Sequence, residues 1–267
     1  MRILIRTSKW AIWARRFGSL ALPLAVIPVF LHRERLITSA DFAIIETIAM
    51  AAGGFGLFLA FGAFARLWVT GDHGWGKATM GFFLSLLCLV PFAAVAYLIL
   101  TNPSTADITT DPANPPGIVS QLPAHPPADL EAIAAAFPNA QNRTYPIEAA
   151  EMFAIVVGLV QERGWDLRAR REPQSLLAAG QVNAVAMTLL GWREEIAIRI
   201  QGNRQGAVVA VRSAALHPGH DLGENGRRVE EFLVGLDRQV TLLLRNAPVA
   251  APPAEESAPA AVEGGDG

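Results

Sequence analysis

Two stretches of this chain, Phe42 to Ala65 and Ala78 to Leu100, run for 24 and 23 residues almost without charge. A helix rises 1.5 Å per residue, so about 20 apolar residues cross the roughly 30 Å hydrocarbon layer of a bilayer. Lipid offers the backbone no hydrogen-bond partners, and a helix satisfies its own, so both stretches are read as transmembrane helices. A third run, Phe17 to Leu31, has 15 residues and contains Pro23 and Pro28. Trp10 and Trp13 ahead of it can sit in an interfacial belt, and Arg15 and Arg16 can snorkel. It is therefore read as a span reaching to about residue 36. The charged "HRERL" that follows directly offers no small-residue cleavage site, which argues for an anchor over a cleaved signal peptide. Residues 1–101 thus form a membrane region with helices at about 17–36, 42–65 and 78–100.

Charge orients that region. Residues 1–100 hold nine Lys and Arg against four acids, whereas the remainder holds 13 Arg, no Lys and 20 acids. Arg2, Arg6, Lys9, Arg15 and Arg16 precede the first run, and Arg66 and Lys77 flank the second loop. The positive-inside rule places both in the cytoplasm, and three spans then deliver the C-terminal domain to the other side of the cytoplasmic membrane. An acidic second half argues against nucleic acid as a partner. Ala52, Gly56 and Ala60 recur every four residues and admit another helix closely, from this chain or from a second copy in a homo-oligomer. Glu46 lies one turn into its helix, within reach of the headgroups. The single cysteine, Cys88, sits in an apolar run, which excludes an intrachain disulfide or a cysteine zinc cluster.

Beyond the membrane region, residues 102–127 are rich in Pro, Asp and Thr and read as an extended arm. Residues 246–267 read as a disordered tail. Between them, 128–245 is expected to form an α+β domain, an antiparallel four-stranded sheet with two helices on one face. Pro146 stands as a first-turn residue, and Ala149, Met152, Phe153, Val156, Val157 and Val160 give an apolar stripe that ends at Gly164. Strands are expected at 165–171, 182–192, 195–201 and 207–213, the second of them central because both of its faces are apolar. Burying Ile196, Ile198 and Ile200 with Val209 and Val211 requires Ile200 opposite Val209 and Ile198 opposite Val211. Arg212 then faces outward beside Arg199, and Arg168 and Arg170 should share that face. The four form a candidate anion-binding surface for a lipid phosphate, or a solvated face of ion pairs. A last helix should start near Asp221, with Glu224 three residues on as a capping pair. Val229, Phe232, Leu233, Leu236, Val240 and Leu243 form its buried stripe.

Several of these motifs resemble the bacterial family known as domain of unknown function 1499. They are "DITTDPANPP" at 107–116, "YP" at 145–146, "GW" at 164–165, "EEIAIRI", and "VRSAALHPGHDLGENGRR" at 211–228. The resemblance covers Asp107 to about Leu244 and implies no established activity. Glu194 and Glu195 stand where the family carries an aspartate pair, and Ala215 and Leu216 replace a more polar pair.

The 211–228 segment is where chemistry would sit. His217, His220 and Asp221 could ligate a metal, but Pro218 and Gly219 make their loop a poor rigid scaffold, so no metal or other cofactor is expected. Ser213 with His217 or His220 and Asp221 could serve an envelope hydrolase, but no nucleophile elbow surrounds the serine. The favoured reading is a polar joint of Arg199, Arg212, Ser213, Asp221, Asn225 and Arg228, structural or binding, in which Arg212 pairs with Asp221 or Glu195 and the histidines stay exposed. With the bacterial source that the resemblance implies, the chain as a whole reads as an inner-membrane protein that displays this domain in the periplasm as a non-enzymatic binding or envelope-associated module. Its partners would be the bilayer and an envelope protein or anionic lipid.

Overall fold

The computed structural model of the protein describes residues 7–246 apart from Pro126 and Ala128. The expected tail, from residue 247 on, lies outside the described residues, as do Arg2 and Arg6. Three helices come first, α1 (Lys9–Arg33), α2 (Ser39–Thr70) and α3 (Trp75–Thr101). All three are long and apolar enough to cross a membrane.

The first of them begins well before the apolar run, includes both prolines, and at 25 residues extends about 38 Å. Counting apolar residues missed its amphipathic opening turns, where Ala11 and Ala14 are buried while Trp13, Arg15 and Arg16 face outward. The second helix starts in a capping box, with the Thr38 hydroxyl accepting from the Asp41 N–H at 3.1 Å, and stops at Gly71 with φ 68°. Small residues line the bundle interior. On α2 they are Ala49, Gly53, Gly56, Ala60 and Ala63, while Ala52 is only half-buried, so the stripe alternates steps of four and three. This chain's own α1 and α3 cover it: Gly56 faces Gly18 and Ser85, and Gly53 faces Cys88 and Leu89. Large apolar side chains, among them Leu20, Phe30, Phe55, Phe61, Phe83 and Val90, point away from the bundle.

Close backbone approach makes Gly81 a sensitive position. A Cβ there would lie 2.5 Å from the Ala14 carbonyl carbon and 2.6 Å from the Arg15 nitrogen, neither of which can swing aside. Gly81→Ala should lower stability by about 1–3 kcal/mol, as overpacking does. Gly54→Ala, with nothing within 4 Å, should leave it unchanged. Thermal melts of both variants in the same detergent check this.

The domain follows as β1 (Asp107–Thr109), α4 (Leu130–Ala136), β2 (Arg143–Tyr145), α5 (Ala149–Glu162), β3 (Asp166–Arg171), β4 (Ala179–Met187), β5 (Arg193–Asn203), β6 (Gly206–Ala215) and α6 (Glu224–Asn246). It is an α+β domain with an antiparallel sheet in the order β1-β6-β5-β4-β3, and β2 also pairs with β6. The four long strands are those expected. Two three-residue strands join them at the two ends of β6, too short to show alternation in sequence. The β5–β6 register places Ile200 opposite Val209, Ile198 opposite Val211 and Arg212 opposite Ala197. Helices α5 and α6 cover one face through Met152, Phe153, Val156, Val160, Phe232, Leu233 and Leu236.

Several boundaries differ from expectation. Helix α5 starts at Ala149, three residues after Pro146. Strand β4 stops at Met187, because Thr188–Gly191 forms a turn in which the Thr188 N–H donates to the Trp192 carbonyl at 2.8 Å. Helix α6 starts at Glu224, because Leu222 and Gly223 hold φ of 61° and 75°.

The chain's path sets the two ends of the bundle apart. Ser8 bonds His73, joining the start of α1 to the α2–α3 loop. At the other end the α1–α2 loop and the close of α3 meet the domain. There Arg33 donates to the Thr188 and Leu189 carbonyls at 3.0 and 2.7 Å.

Candidate functional site

The start of α6 is built from buried polar side chains. Asp221 is 4% exposed, and Thr105, Ser213 and Asn225 are fully buried. The Asp221 carboxylate accepts from the Thr105 N–H at 2.7 Å and from the Thr105 hydroxyl. It also accepts from the Asn225 N–H at 3.1 Å and the Asn225 amide at 3.3 Å. Thr105 in turn accepts from the Gly226 N–H at 3.1 Å. Two otherwise free N–H groups of the helix's first turn are thereby satisfied, that of Asn225 by Asp221 and that of Gly226 by Thr105, 121 positions earlier in the chain. Ser213 donates to the Asn225 amide oxygen at 2.5 Å, so its hydroxyl is bonded away from both histidines.

Beside this network lies an ion pair that sequence reasoning missed. Glu194 and Arg228 are 1% and 10% exposed at their side chains and bond directly. Arg228 also donates to Asn225 at 3.2 Å. Burial pushes Glu194 up to about 7, against the pull of Arg228. Its neighbour Glu195 points through the other face of the sheet, since successive strand residues alternate. The two carboxylates therefore do not act as a pair.

That other face is covered by the arm. Asp107 grips Arg212 with two bonds, from Nε at 2.8 Å and Nη2 at 2.6 Å. Asp111 binds Arg199 at 2.6 Å, and Arg199 also donates to the Asn114 carbonyl. Glu195 accepts the Val119 and Ser120 N–H groups at 2.7 and 2.8 Å, and Asn183 at 2.8 Å. Burial alone would raise Glu195, but donation by Ser120, Val119 and Asn183 outweighs it and holds the carboxylate below its ordinary value.

The four arginines expected on one face are thus separated. Arg199 and Arg212 are neutralised by the arm, so Arg212 pairs with Asp107 and not with Asp221 or Glu195. A bulge at Arg168 shifts the β3 register and puts Arg170 opposite the core residue Val182. Arg168 itself pairs with Asp166 at 2.7 Å. The signal in sequence was the pair of aspartates in "DITTDPANPP", four residues apart, matching two arginines on adjacent strands.

Loosening the arm should follow from Asp107→Asn. Because a carboxyl held below its ordinary value stabilises above that value and ceases to as pH falls through the folded one, acid should act likewise through Glu195. Protection of the Val119 and Ser120 amides, taken relative to the intrinsic exchange rate at each pH, should fall in the variant, and in the wild type as pH falls below about 4.5, the unshifted carboxylate value. Protection that survives both changes would show that the arm is held by other means.

The histidines belong to the end of the domain that meets the helix bundle. His217 is buried, not exposed, with its ring 4.4 Å from that of Trp192. Burial lowers its pKa, partly offset by its bond to the Pro218 carbonyl. Trp192 also meets His32 at 4.8 Å, and His32 stacks on Phe42 at 4.6 Å. His220 accepts from the Leu222 N–H at 2.9 Å. Among the described residues no group of three His, Cys, Asp or Glu side chains is placed to hold a metal, so His217, His220 and Asp221 do not converge.

Fold and site together define an α+β domain joined to three helices apolar enough to cross a membrane, its sheet closed on the outer face by its own arm. Residues 107–236 match the family described as "Protein of unknown function (DUF1499)", and this domain belongs to that family. The match opens at Asp107, the residue that grips Arg212, and includes both of the sequence motifs that the arm brings together. No curated protein matches the chain.

Proposed function

We propose that the protein is a bacterial inner-membrane component with a cytoplasmic N-terminus, displaying its DUF1499 domain in the periplasm as a non-enzymatic, envelope-associated binding module. The observation that carries this reading is the domain's attachment. It rests on the end of the bundle opposite Arg15, Arg16, Arg66 and Lys77, the end that the positive-inside rule places outside the cytoplasm. The non-enzymatic part is supported by the polar joint, where the Ser213 hydroxyl donates to the amide oxygen of Asn225, which is no base, and the Thr105 hydroxyl and the Asp221 carboxylate it bonds are both buried away from solvent.

Topology is tested with reporters fused after Gly267. A periplasm-active reporter should be on and a cytoplasm-active one off. The reverse result would put the domain in the cytoplasm and end the envelope reading. A hydrolase would be indicated if purified protein cleaved generic ester substrates and Ser213→Ala abolished the turnover.

A further inference from the structure

We propose that the cleft between the α1–α2 loop and the domain binds a phosphate group, that of an anionic lipid headgroup at the bilayer surface. The lipid source rests on the reading that the helices cross a bilayer; the phosphate chemistry does not. The cleft has a volume of about 360 Å³ and is walled by His32, Arg35, Thr38 and Ser39 on one side and Arg193 and His217 on the other. Among the described residues no carboxylate lines it. The acids on the same loop, Glu34 and Asp41, lie outside its lining, and Asp41 accepts from the Thr38 hydroxyl at 2.7 Å.

Among the described residues, neither Arg35 nor Arg193 makes a side-chain hydrogen bond or salt bridge, unlike Arg33, Arg199, Arg212 and Arg228 close by. Two guanidinium groups facing one cleft with no counter-charge repel each other, and a phosphate with forked acceptor oxygens relieves this. Arg35 also holds φ at 62°, a left-handed position closing α1 where glycine would be unstrained.

The depth of the cleft fits a headgroup. It opens where α1 ends and α2 begins, and the apolar Leu36 and Leu189 beside it are 70% and 82% exposed. Those side chains would enter the bilayer edge and put the guanidinium groups at the phosphate layer. The Arg168 and Arg170 edge is a poorer candidate, because Arg168 already has Asp166.

The test uses the full chain purified in a neutral detergent. Native mass spectrometry reads retention of phosphatidylglycerol against phosphatidylcholine with the same acyl chains, and calorimetry reads binding of inorganic phosphate alone. Phosphatidylglycerol should be preferred, and Arg35→Gln with Arg193→Gln should weaken its retention by about tenfold or more, since a charged hydrogen bond is worth about that factor and each glutamine amide still supplies a neutral one in its place. Arg168→Gln with Arg170→Gln should leave it unchanged. Arg35→Gln alone, at an exposed position, keeps the test sound if the double variant misfolds, and should still weaken retention several-fold. If inorganic phosphate binds with the same dependence on Arg35 and Arg193 and phosphatidylglycerol shows no preference, the site takes a free phosphate and the lipid assignment falls. Equal retention of every probe by wild type and variants overturns the proposal. The reporter fusions judge the membrane reading separately, so its failure would leave the phosphate measurement standing.

Discussion

Asp221→Ala should cost the folded protein about 3–4 kcal/mol, a fall in melting temperature of about 6–15 °C. The substitution removes one acceptor group and strands donors from Thr105 and Asn225 at a place that water does not reach. Each buried donor left unpaired costs about 1–3 kcal/mol, and the sum is less than additive because the loop can relax. Asp221→Asn keeps the shape but only one acceptor oxygen, and should lose about half as much. Thr105→Val should approach the alanine variant, because Thr105 both donates to Asp221 and accepts from Gly226. Thermal melts of the full chain, followed by near-ultraviolet circular dichroism, read all three. An unchanged melting temperature in Asp221→Ala would show that the joint is not needed for folding, and the 211–228 loop would become the leading candidate for a ligand site.

Arg228→Met should be the other severe change, with a loss of about 3–5 kcal/mol at pH 8, the usual consequence of leaving one buried charge alone. Its pH dependence distinguishes it from simple loss of packing. Glu194 already sits at about 7 through burial, above the unshifted 4.5, so it takes up a proton on folding between those values. The stability this lends is complete below 4.5 and is lost as pH rises through about 7. Without Arg228 the folded carboxyl moves further up, so the variant should be much closer to wild type at pH 5.5 than at pH 8. Glu194→Met with Arg228→Met should recover most of the loss, since a buried ion pair replaced by apolar groups of similar size is often neutral. A deficit equal at both pH values, or a double variant as unstable as the single, would remove the ion pair from the explanation.

Patterns within a segment were legible because they answer to local rules. The alternation of Ile196, Ile198 and Ile200 with Val209 and Val211 left one register that buries them all, and that register is found. The stripe on α6 from Val229 to Val240 is the buried one. On α5 the same periodicity found Met152, Phe153, Val156 and Val160 but took Val157 for buried and passed over Leu159, since one turn's difference at a stripe's edge changes the periodicity little. Chemistry at the joint was half visible. Asp221, Ser213 and Asn225 do meet, but the partners that complete the joint, Thr105 and Glu194, lie far off in sequence, and neither the stretch before Asp107 nor the "EEIAIRI" motif that Glu194 opens says which residue each will meet.

The sequence alone is enough to establish three apolar helices, an α+β domain after them, the strand order of its central hairpin and the family motifs from Asp107 on, because hydrophobic periodicity and helix length act within a few residues. Which charged and polar groups meet was settled by folding in three dimensions. Asp107 finds Arg212, Asp111 finds Arg199, Thr105 finds Asp221 and Arg33 finds Thr188, each across more than 80 residues. A charge takes the nearest partner in space, and the sheet, by bringing the arm over one face and the membrane helices under one end, determines which partner that is.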